Sequence, residues 1–206
     1  MKNCIVSVAF RQPYLAHSKR QEEEIKGVDT MYYRDQLPYK DGIHTEDIVS
    51  HFQASLYGFK PHAIQRARNL GYTKIVWFDP STLPTVDVSV LFKSLDTHPM
   101  IVRKGDNPLS KMTNQKAKDW FGVTEGDLVG VNHIGGTVYG FNFNDPKVCE
   151  VFELWKKAEE EGIFGNQDSF MAGHWCDESC LALAMLCFGM PQYWEESFKY
   201  LNQKEL

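Results

Sequence analysis

The chain has 206 residues, of which 43% are apolar and 24% are charged. These totals are typical of a globular protein, and the length suits a single domain over residues 1–206 with a substantial core. The formal net charge is −5 and no long basic run is present, which excludes the electrostatic signature of a nucleic-acid-binding protein.

The five cysteines are odd in number and contain no CxxC pair, so we expect free thiols and a reducing compartment. The apolar run at residues 3–10 is too short for a secretory signal, and no segment approaches the ~20 apolar residues of a membrane helix. These features predict a soluble cytoplasmic protein, either alone or as part of a longer multidomain chain.

In chain order, the first predicted element is a buried strand at residues 3–10, followed by a helix that Pro13 opens and that ends near Ile25. Residues 27–44 contain many turn-forming residues, so we expect irregular structure with one short strand. A helix is predicted to begin at Thr45, because acidic residues follow it in the first turn.

A second helix is predicted after Pro61 and ends at Gly71. Later apolar runs at helical spacing predict four more helices, which lie at residues 86–95, 115–121, from 145 onward and from 177 onward. Further strands are predicted at residues 74–78, 100–103 and 137–143. This alternation predicts an α/β domain with a central, mainly parallel but mixed β-sheet flanked by helices.

Asp79 comes directly after the strand at residues 74–78, where open α/β sheets bind ligands. With Ser81 two residues later, it could hold a divalent cation against a diphosphate. Asp-Pro-Ser is equally typical of a simple turn, and the residues alone leave both interpretations open.

Two adjacent acids, Asp177 and Glu178, begin the last helix beside His174 and Trp175. One carboxylate could face a reacting sugar carbon or take a proton from a hydroxyl, and the indole could offer a flat face to a sugar. The more common reason for acids in a first helical turn is that they stabilise its positive end.

Three smaller features could contact a ligand, and each has a structural alternative. The turn with Phe10, Arg11 and Tyr14 could hold a base and a phosphate, or could be a surface turn with a core Phe. Lys60 needs an anionic partner if it is buried, and a diphosphate or Asp79 would serve; otherwise it is a surface lysine. The glycine pair at 135–136 permits close backbone approach or a tight turn.

Taken together, these segments resemble glycosyltransferases of the GT-A fold, through Phe59-Lys60-Pro61, Gly71-Tyr72-Thr73-Lys74 and the strand that ends in Asp79. The C-terminal part is similar to the retaining histo-blood-group transferases, through Gly135-Gly136-Thr137 and Trp175-Cys176-Asp177-Glu178-Ser179. The chain also resembles the N-terminal domain of a chlorovirus enzyme that glycosylates the major capsid protein.

The resemblance implies transfer of a hexose from a nucleotide-diphosphate sugar, such as UDP-glucose, to a glycan or glycoprotein, with Mn2+ or Mg2+ as cofactor. It assigns catalysis to Asp177 and Glu178, the donor sugar and acceptor to Gly135, Gly136 and Trp175, and the metal to Asp79, Ser81 and His174. Nucleotide binding falls to Ala9, Phe10, Arg11, Tyr14, Lys60 and Asp79. Ser81 stands where the family has a second Asp, and a neutral hydroxyl is a poorer metal ligand.

Retention and inversion of the sugar configuration both stay open. A non-catalytic nucleotide-sugar or glycan-binding module is the main alternative, because Ser81 departs from the family pattern. A sugar-nucleotide pyrophosphorylase is less favoured, since no Gly-rich, Arg-containing loop follows the first strand.

Overall fold

The computed structural model describes residues 2–10, 12–34, 36–37, 43–44 and 55–202. The strands are β1 Asn3–Ala9, β2 Asp29–Arg34, β3 Gln36–Leu37, β4 Ile43–His44, β5 Lys74–Phe78, β6 Thr82–Pro84, β7 Met100–Pro108, β8 Asn132–Asn142 and β9 Tyr200–Asn202. The α-helices are α1 Tyr14–Glu24, α2 Phe59–Asn69, α3 Ser89–Ser94, α4 Gln115–Phe121, α5 Pro146–Glu160, α6 Gln167–Met171 and α7 Cys176–Cys187.

The central sheet has five strands in the order β2-β1-β5-β8-β7. Strand β1 pairs in parallel with β2 and β5, whereas β8 runs antiparallel to both β5 and β7. Four of the five strands therefore point the same way, which confirms the predicted mixed, mainly parallel sheet. Their shared direction brings the ends of β1, β2 and β5 to one edge of the sheet, the edge where such folds bind ligands.

Both faces of the sheet are covered, because every residue of β5 is buried. Trp77 belongs to the cluster that packs under α2, α5 and α7, while Val76 and Phe78 face the cluster that includes Leu91 of α3 and Phe198. This alternation follows from the two-residue period of a strand. Burial on both sides also explains why β5 reads as a continuous apolar run.

Two helix starts show local capping chemistry. The Asp145 side chain accepts a hydrogen bond from the backbone N–H of Lys147 at 2.8 Å, and Pro146 occupies the first turn of α5. Asn114 caps α4 by accepting from Ala117 N. Helix α7 is apolar around most of its circumference and is deeply buried, as expected for such a pattern.

Strand β8 differs from the prediction, because it begins at Asn132 and contains the glycine pair instead of following it. Its pairing with β7 slips at this point: Val102 lies opposite Tyr139, whereas Arg103 lies opposite Gly135. Such an irregularity redirects side chains and is common beside active sites. The segment at 27–44 also holds more strand than expected, and the short pair β6–β9 was not predicted. The predicted helix from Thr45 lies outside the described residues.

All five cysteines are free, as expected, and three of them are buried. Among the helices of the described ranges, none is long and apolar enough to span a bilayer.

Candidate active site

Asp79 stands at the carboxyl end of β5, and its backbone N–H donates to Thr137 O of β8 at 2.8 Å. Its Oδ1 accepts hydrogen bonds from Ser81 N at 3.0 Å and Ser81 Oγ at 2.7 Å. Helix α1 also contacts this turn, because the side-chain amide of the buried Gln21 donates a hydrogen bond to Asp79 O at 3.0 Å. Asp79 is half-buried, and the hydrogen bonds that its carboxylate accepts from the described residues all go to Oδ1.

A buried ion pair joins α2 to the start of α7. Lys60 Nζ lies 2.6 Å from Asp177 Oδ2 and also donates to Gly136 O at 3.2 Å. The two side chains are only 4% and 1% exposed. The partner expected for Lys60 was a diphosphate or Asp79, and the structure corrects this to Asp177, because α2 and α7 both pack on the same face of the sheet.

Aromatic rings complete the surroundings of the Lys60 ammonium. Its Nζ lies 5.0 Å from the ring centroid of Tyr57, 5.6 Å from that of Trp77 and 5.2 Å from that of Tyr139. The negative faces of such rings attract a desolvated cation. Lys60 is therefore held by one carboxylate, one carbonyl and three rings, which compensates for its removal from water.

Asp177 is fixed independently of Lys60. The Tyr139 hydroxyl donates to its Oδ2 at 3.0 Å, and the Trp155 indole N–H donates to its backbone oxygen at 2.9 Å. Burial raises the pKa of Asp177 to about 6. The ammonium of Lys60 lowers this pKa, whereas the negative charge of Glu178 raises it further. Burial also disfavours the charge on Lys60, but Asp177, Glu178 and Asp79 outweigh it and raise the pKa of Lys60.

Glu178 is the more accessible of the two adjacent acids, with its side chain 17% exposed. Its Oε2 lies 2.6 Å from Nε2 of His133 on β8. The carboxylate packs directly on Gly136, where a Cβ atom would stand 2.2 Å from Glu178 Oε1. The ring of half-buried Trp175 lies 4.9 Å from that of His133, nearly perpendicular to it. A side chain at position 136 would force the Glu178 carboxylate to move away from β8.

Two residues beside the ion pair have left-handed backbone conformations that side chains rarely adopt. Tyr57 has φ of 64° and Cys176 has φ of 41°. Strain of this kind costs on the order of 1–3 kcal/mol per residue and concentrates at functional sites. Tyr57 stands three positions before Lys60 and Cys176 directly precedes Asp177, so both positions are close in sequence to the ion pair.

The predicted nucleotide residues at the end of β1 are only partly brought into this region. Ala9 and Phe10 are buried, and the Phe10 ring packs edge-on against Phe59 at 5.5 Å, inside the core. Tyr14 opens α1 with its ring beside His17. Arg11 lies outside the described residues. The assignment of a base to this turn therefore stays a prediction.

The predicted metal ligands are not gathered around a common point. His174 is fully buried, its Nε2 bonds to Ile163 O at 3.0 Å, and its Nδ1 accepts from Asn114 N at 3.4 Å. Burial lowers the pKa of His174, and neither nitrogen has a lone pair left for an ion. Within the described part of the chain, no group of three or more His, Cys, Asp or Glu side chains is arranged to hold a metal. The geometry disfavours the metal role of His174, whereas Asp79 and Ser81 lie together at the strand end and their metal role stays a prediction.

Several residues of the site were missed from the sequence. His133 had no recognisable ligand spacing, because it meets Glu178 across 45 positions of the chain. Tyr139 and Trp155 read as ordinary core residues at strand and helix spacing, although both also bond to Asp177. No local signal could identify them, since their polar contacts depend on how β8 and α5 meet α7.

The sequence matches no protein-family model and no curated protein. Solved structures do share its fold. Mouse xyloside xylosyltransferase 1, in its apo form, superposes with a TM-score of 0.52 at 9% identity over 95% of this chain and 85% of that one. The apo WbbM bifunctional glycosyltransferase gives 0.50 at 9% identity, over 93% of this chain and 38% of that one.

A glycosyltransferase involved in the glycosylation of the major capsid of PBCV-1 is 14% identical, over 81% of this chain and 70% of that one. Its TM-score is 0.45, which is too low to support an argument, and neither the chlorovirus nor the blood-group resemblance is confirmed. The better superpositions, with the sheet order, confirm the predicted GT-A-like α/β fold.

Proposed function

We propose that this chain is a glycosyltransferase that moves a hexose-type sugar from a nucleotide-diphosphate sugar, preferably a UDP-sugar, to a glycan or glycoprotein. One observation carries the proposal: a buried Lys60–Asp177 ion pair lies directly before Glu178, at the end of a GT-A-like α/β sheet whose strand β5 leads into Asp79. Buried charges cost free energy, so a cluster of them at the end of such a sheet is typical of a functional site.

Glu178 is the carboxylate that we assign to the reacting groups. During transfer the bond between the sugar C1 and the diphosphate oxygen breaks, a bond from C1 to the acceptor oxygen forms, and the acceptor hydroxyl loses its proton. A carboxylate beside C1 stabilises the oxocarbenium-like transition state or accepts that proton. Glu178 is the more accessible of the two acids, is held by His133, and packs against the backbone of Gly136.

Asp177 and Lys60 have a positioning role in this proposal. Both are too deeply buried to contact a donor in the observed conformation. Their ion pair fixes the first turn of α7, and Glu178 is the next residue of that turn. Lys60 also holds Gly136 O, so a single side chain sets the distance between Glu178 and the strand it faces.

Asp79 is assigned to the donor diphosphate, through a Mn2+ or Mg2+ ion. The described side chains offer such an ion one carboxylate oxygen, and an ion bound in this way takes further ligands from substrate phosphates and water. When bound, it would stabilise the negative charge that develops on the departing nucleoside diphosphate. We therefore expect titration calorimetry to show no binding of the metal alone and clear binding together with UDP.

The decisive test is donor turnover. Wild-type protein is incubated with UDP-glucose and related donors, with and without Mn2+, and release of UDP is followed. We expect turnover in the wild type and a loss of about 10²- to 10⁴-fold in Glu178→Gln, as for loss of a general acid or base. Glu160→Gln, an exposed acid on α5, is the matched control and should be unchanged. If no nucleotide sugar binds or turns over, the proposal is wrong.

A non-catalytic nucleotide-sugar or glycan-binding module is the second candidate. It is favoured by the turn geometry of Asp79, whose Oδ1 is fully engaged by Ser81. In that case UDP-sugars should stabilise the protein against heat without any release of UDP. The two candidates therefore differ in turnover and not in binding.

A further inference from the structure

A cavity of about 610 Å3 lies beside the candidate active site and belongs to none of the roles assigned so far. Arg103 and Lys104 of β7 form one wall, and Lys199 and Tyr200 form another. Thr137 lines it from β8, and the same residue holds the backbone of Asp79 through its carbonyl oxygen. The cavity therefore opens within one residue of the proposed diphosphate position.

Positive charge predominates in this cavity, although the protein as a whole carries −5. Arg103, Lys104 and Lys199 are all exposed, and among the described residues that line the cavity Glu196 is the one acid. Three cations against one carboxylate would attract an anionic ligand and would discriminate against a neutral one of the same shape.

The cavity also contains aromatic rings that are anchored to the core. Trp194 and Tyr200 are half-buried, and each packs at about 6 Å from Phe198, which is 1% exposed. The Tyr200 hydroxyl accepts from Arg103 Nη1 at 2.8 Å and lies 3.2 Å from Thr137 Oγ1. Flat rings combined with a few fixed polar groups are typical of a small-molecule site.

The strands that contribute to the cavity are different from those next to the predicted nucleotide site. Asp79 follows β5, the central strand, and β1 with its predicted base-binding turn lies on one side of β5. The cavity residues Arg103, Lys104 and Thr137 lie on β7 and β8, on the other side. A ligand here would therefore lie on the side of β5 away from the predicted base-binding turn.

We propose that this cavity binds the acceptor, and that the acceptor is an acidic saccharide carrying a carboxylate or phosphate group. The rings of Trp194 and Tyr200 contact the sugar, while Arg103, Lys104 and Lys199 hold its acidic group. The acceptor role rests on the proposed transferase function, whereas binding of the acidic saccharide does not.

The test compares sugars that differ in charge alone. Equilibrium binding is measured by NMR titration for p-nitrophenyl β-glucuronide and p-nitrophenyl β-glucoside, and for glucose 6-phosphate and glucose. The wild type should prefer at least one acidic member about fivefold to tenfold, with the preference declining at high salt. The glucuronide and phosphate pairs distinguish the two acidic groups.

Lys199→Glu should abolish the preference, whereas Lys93→Glu, an exposed lysine on α3, should retain it. Equal binding of the acidic and neutral sugars, or a preference that survives in Lys199→Glu, would overturn the proposal. So would competitive displacement of the acidic sugar by UDP, because the cavity would then hold the donor diphosphate.

Donor turnover is measured separately, as release of UDP into water without an acceptor. Lys93→Glu should leave this basal rate unchanged, whereas Lys199→Glu should raise the KM of the acidic acceptor. If no donor is turned over but charge-dependent binding persists, the transferase function and the acceptor role fail together, and the acidic-saccharide site stands. If turnover occurs without charge-dependent binding, the transferase stands and the cavity proposal fails.

Discussion

The strand-end turn after β5 and the start of α7 both carry the pattern Asp-x-Ser and use it in different ways. After β5, both hydrogen bonds to Asp79 Oδ1 come from Ser81, two positions away. At the start of α7, the Asp177 side chain instead bonds to Lys60, 117 positions away, and to Tyr139, 38 positions away. Ser179 turns from Asp177 and donates to Met112 O.

The difference shows what each region can do. The Asp79 carboxylate accepts hydrogen bonds from its own turn through one oxygen, so its position does not depend on a distant side chain. A carboxylate that is buried among distant partners is rigid, and it constrains whatever follows it in the chain. Asp79 is thus suited to contact a donor, and Asp177 is suited to position Glu178.

The largest expected effect concerns the distant partners of Asp177. Lys60→Met keeps much of the side-chain volume but leaves the Asp177 carboxylate buried without its cation. We expect a loss of about 3–5 kcal/mol in the free energy of unfolding, measured by urea denaturation. Lys93→Met, at an exposed position, should change it by less than about 0.5 kcal/mol.

A double variant sharpens this result. Lys60→Met combined with Asp177→Asn removes both charges, so its loss should be smaller than the sum of the two single losses. Strict additivity would mean that the two groups do not interact, and the contrast between the two regions would disappear.

The same contrast explains which features could be predicted from the sequence and which could not. Strand β5, helix α4 and the helix from residue 145 onward were predicted because their signals, an apolar run and helical spacing, are local. The Asp79 turn was visible for the same reason. The surroundings of Asp177 were not, because Lys60, Tyr139 and Trp155 lie on three elements, and only packing brings their polar atoms together. The slip between β7 and β8 that places Gly136 against Glu178 is equally non-local.

The second prediction tests the carboxylate of Asp79. Asp79→Asn keeps an oxygen that can accept from Ser81, so the turn should persist while the charge is lost. At UDP and Mn2+ concentrations near 100 times Kd, the wild type should gain about 2.7 kcal/mol of stability, and the variant should lose most of this gain. Thermal denaturation with and without ligand measures the difference.

Asp87→Asn is the matched control for this experiment. Asp87 also accepts a hydrogen bond from a serine two positions later, Ser89, at 2.8 Å, but it lies on the exposed surface near α3. Its ligand-dependent stabilisation should equal that of the wild type. If the ligand stabilised Asp79→Asn as much as the wild type, Asp79 would have no role in ligand binding beyond forming its turn.

The third prediction uses the raised pKa of Asp177. Because its pKa is about 6 in the folded state and about 3.9 in an unfolded chain, the folded protein binds more protons between these values. Its contribution to stability is therefore fully present below about pH 4 and is lost as the pH rises through 6. The difference in unfolding free energy between wild type and Asp177→Asn should fall over this window and stay constant above it. A difference that rises with pH would show that Lys60 outweighs burial.

The smallest expected effect concerns the hydrogen bond between His133 and Glu178. If His133 positions the reacting carboxylate, His133→Leu should lower kcat about tenfold, equivalent to about 1.4 kcal/mol, with little change in the KM for the donor. His133→Gln retains a donor group and should recover part of the loss. His62→Leu is the control, because His62 forms a similar pair with Glu159 at 2.7 Å, and it should lower stability without lowering kcat. A raised KM with unchanged kcat in His133→Leu would instead place His133 among the residues that only bind substrate, and would leave Glu178 without support from β8.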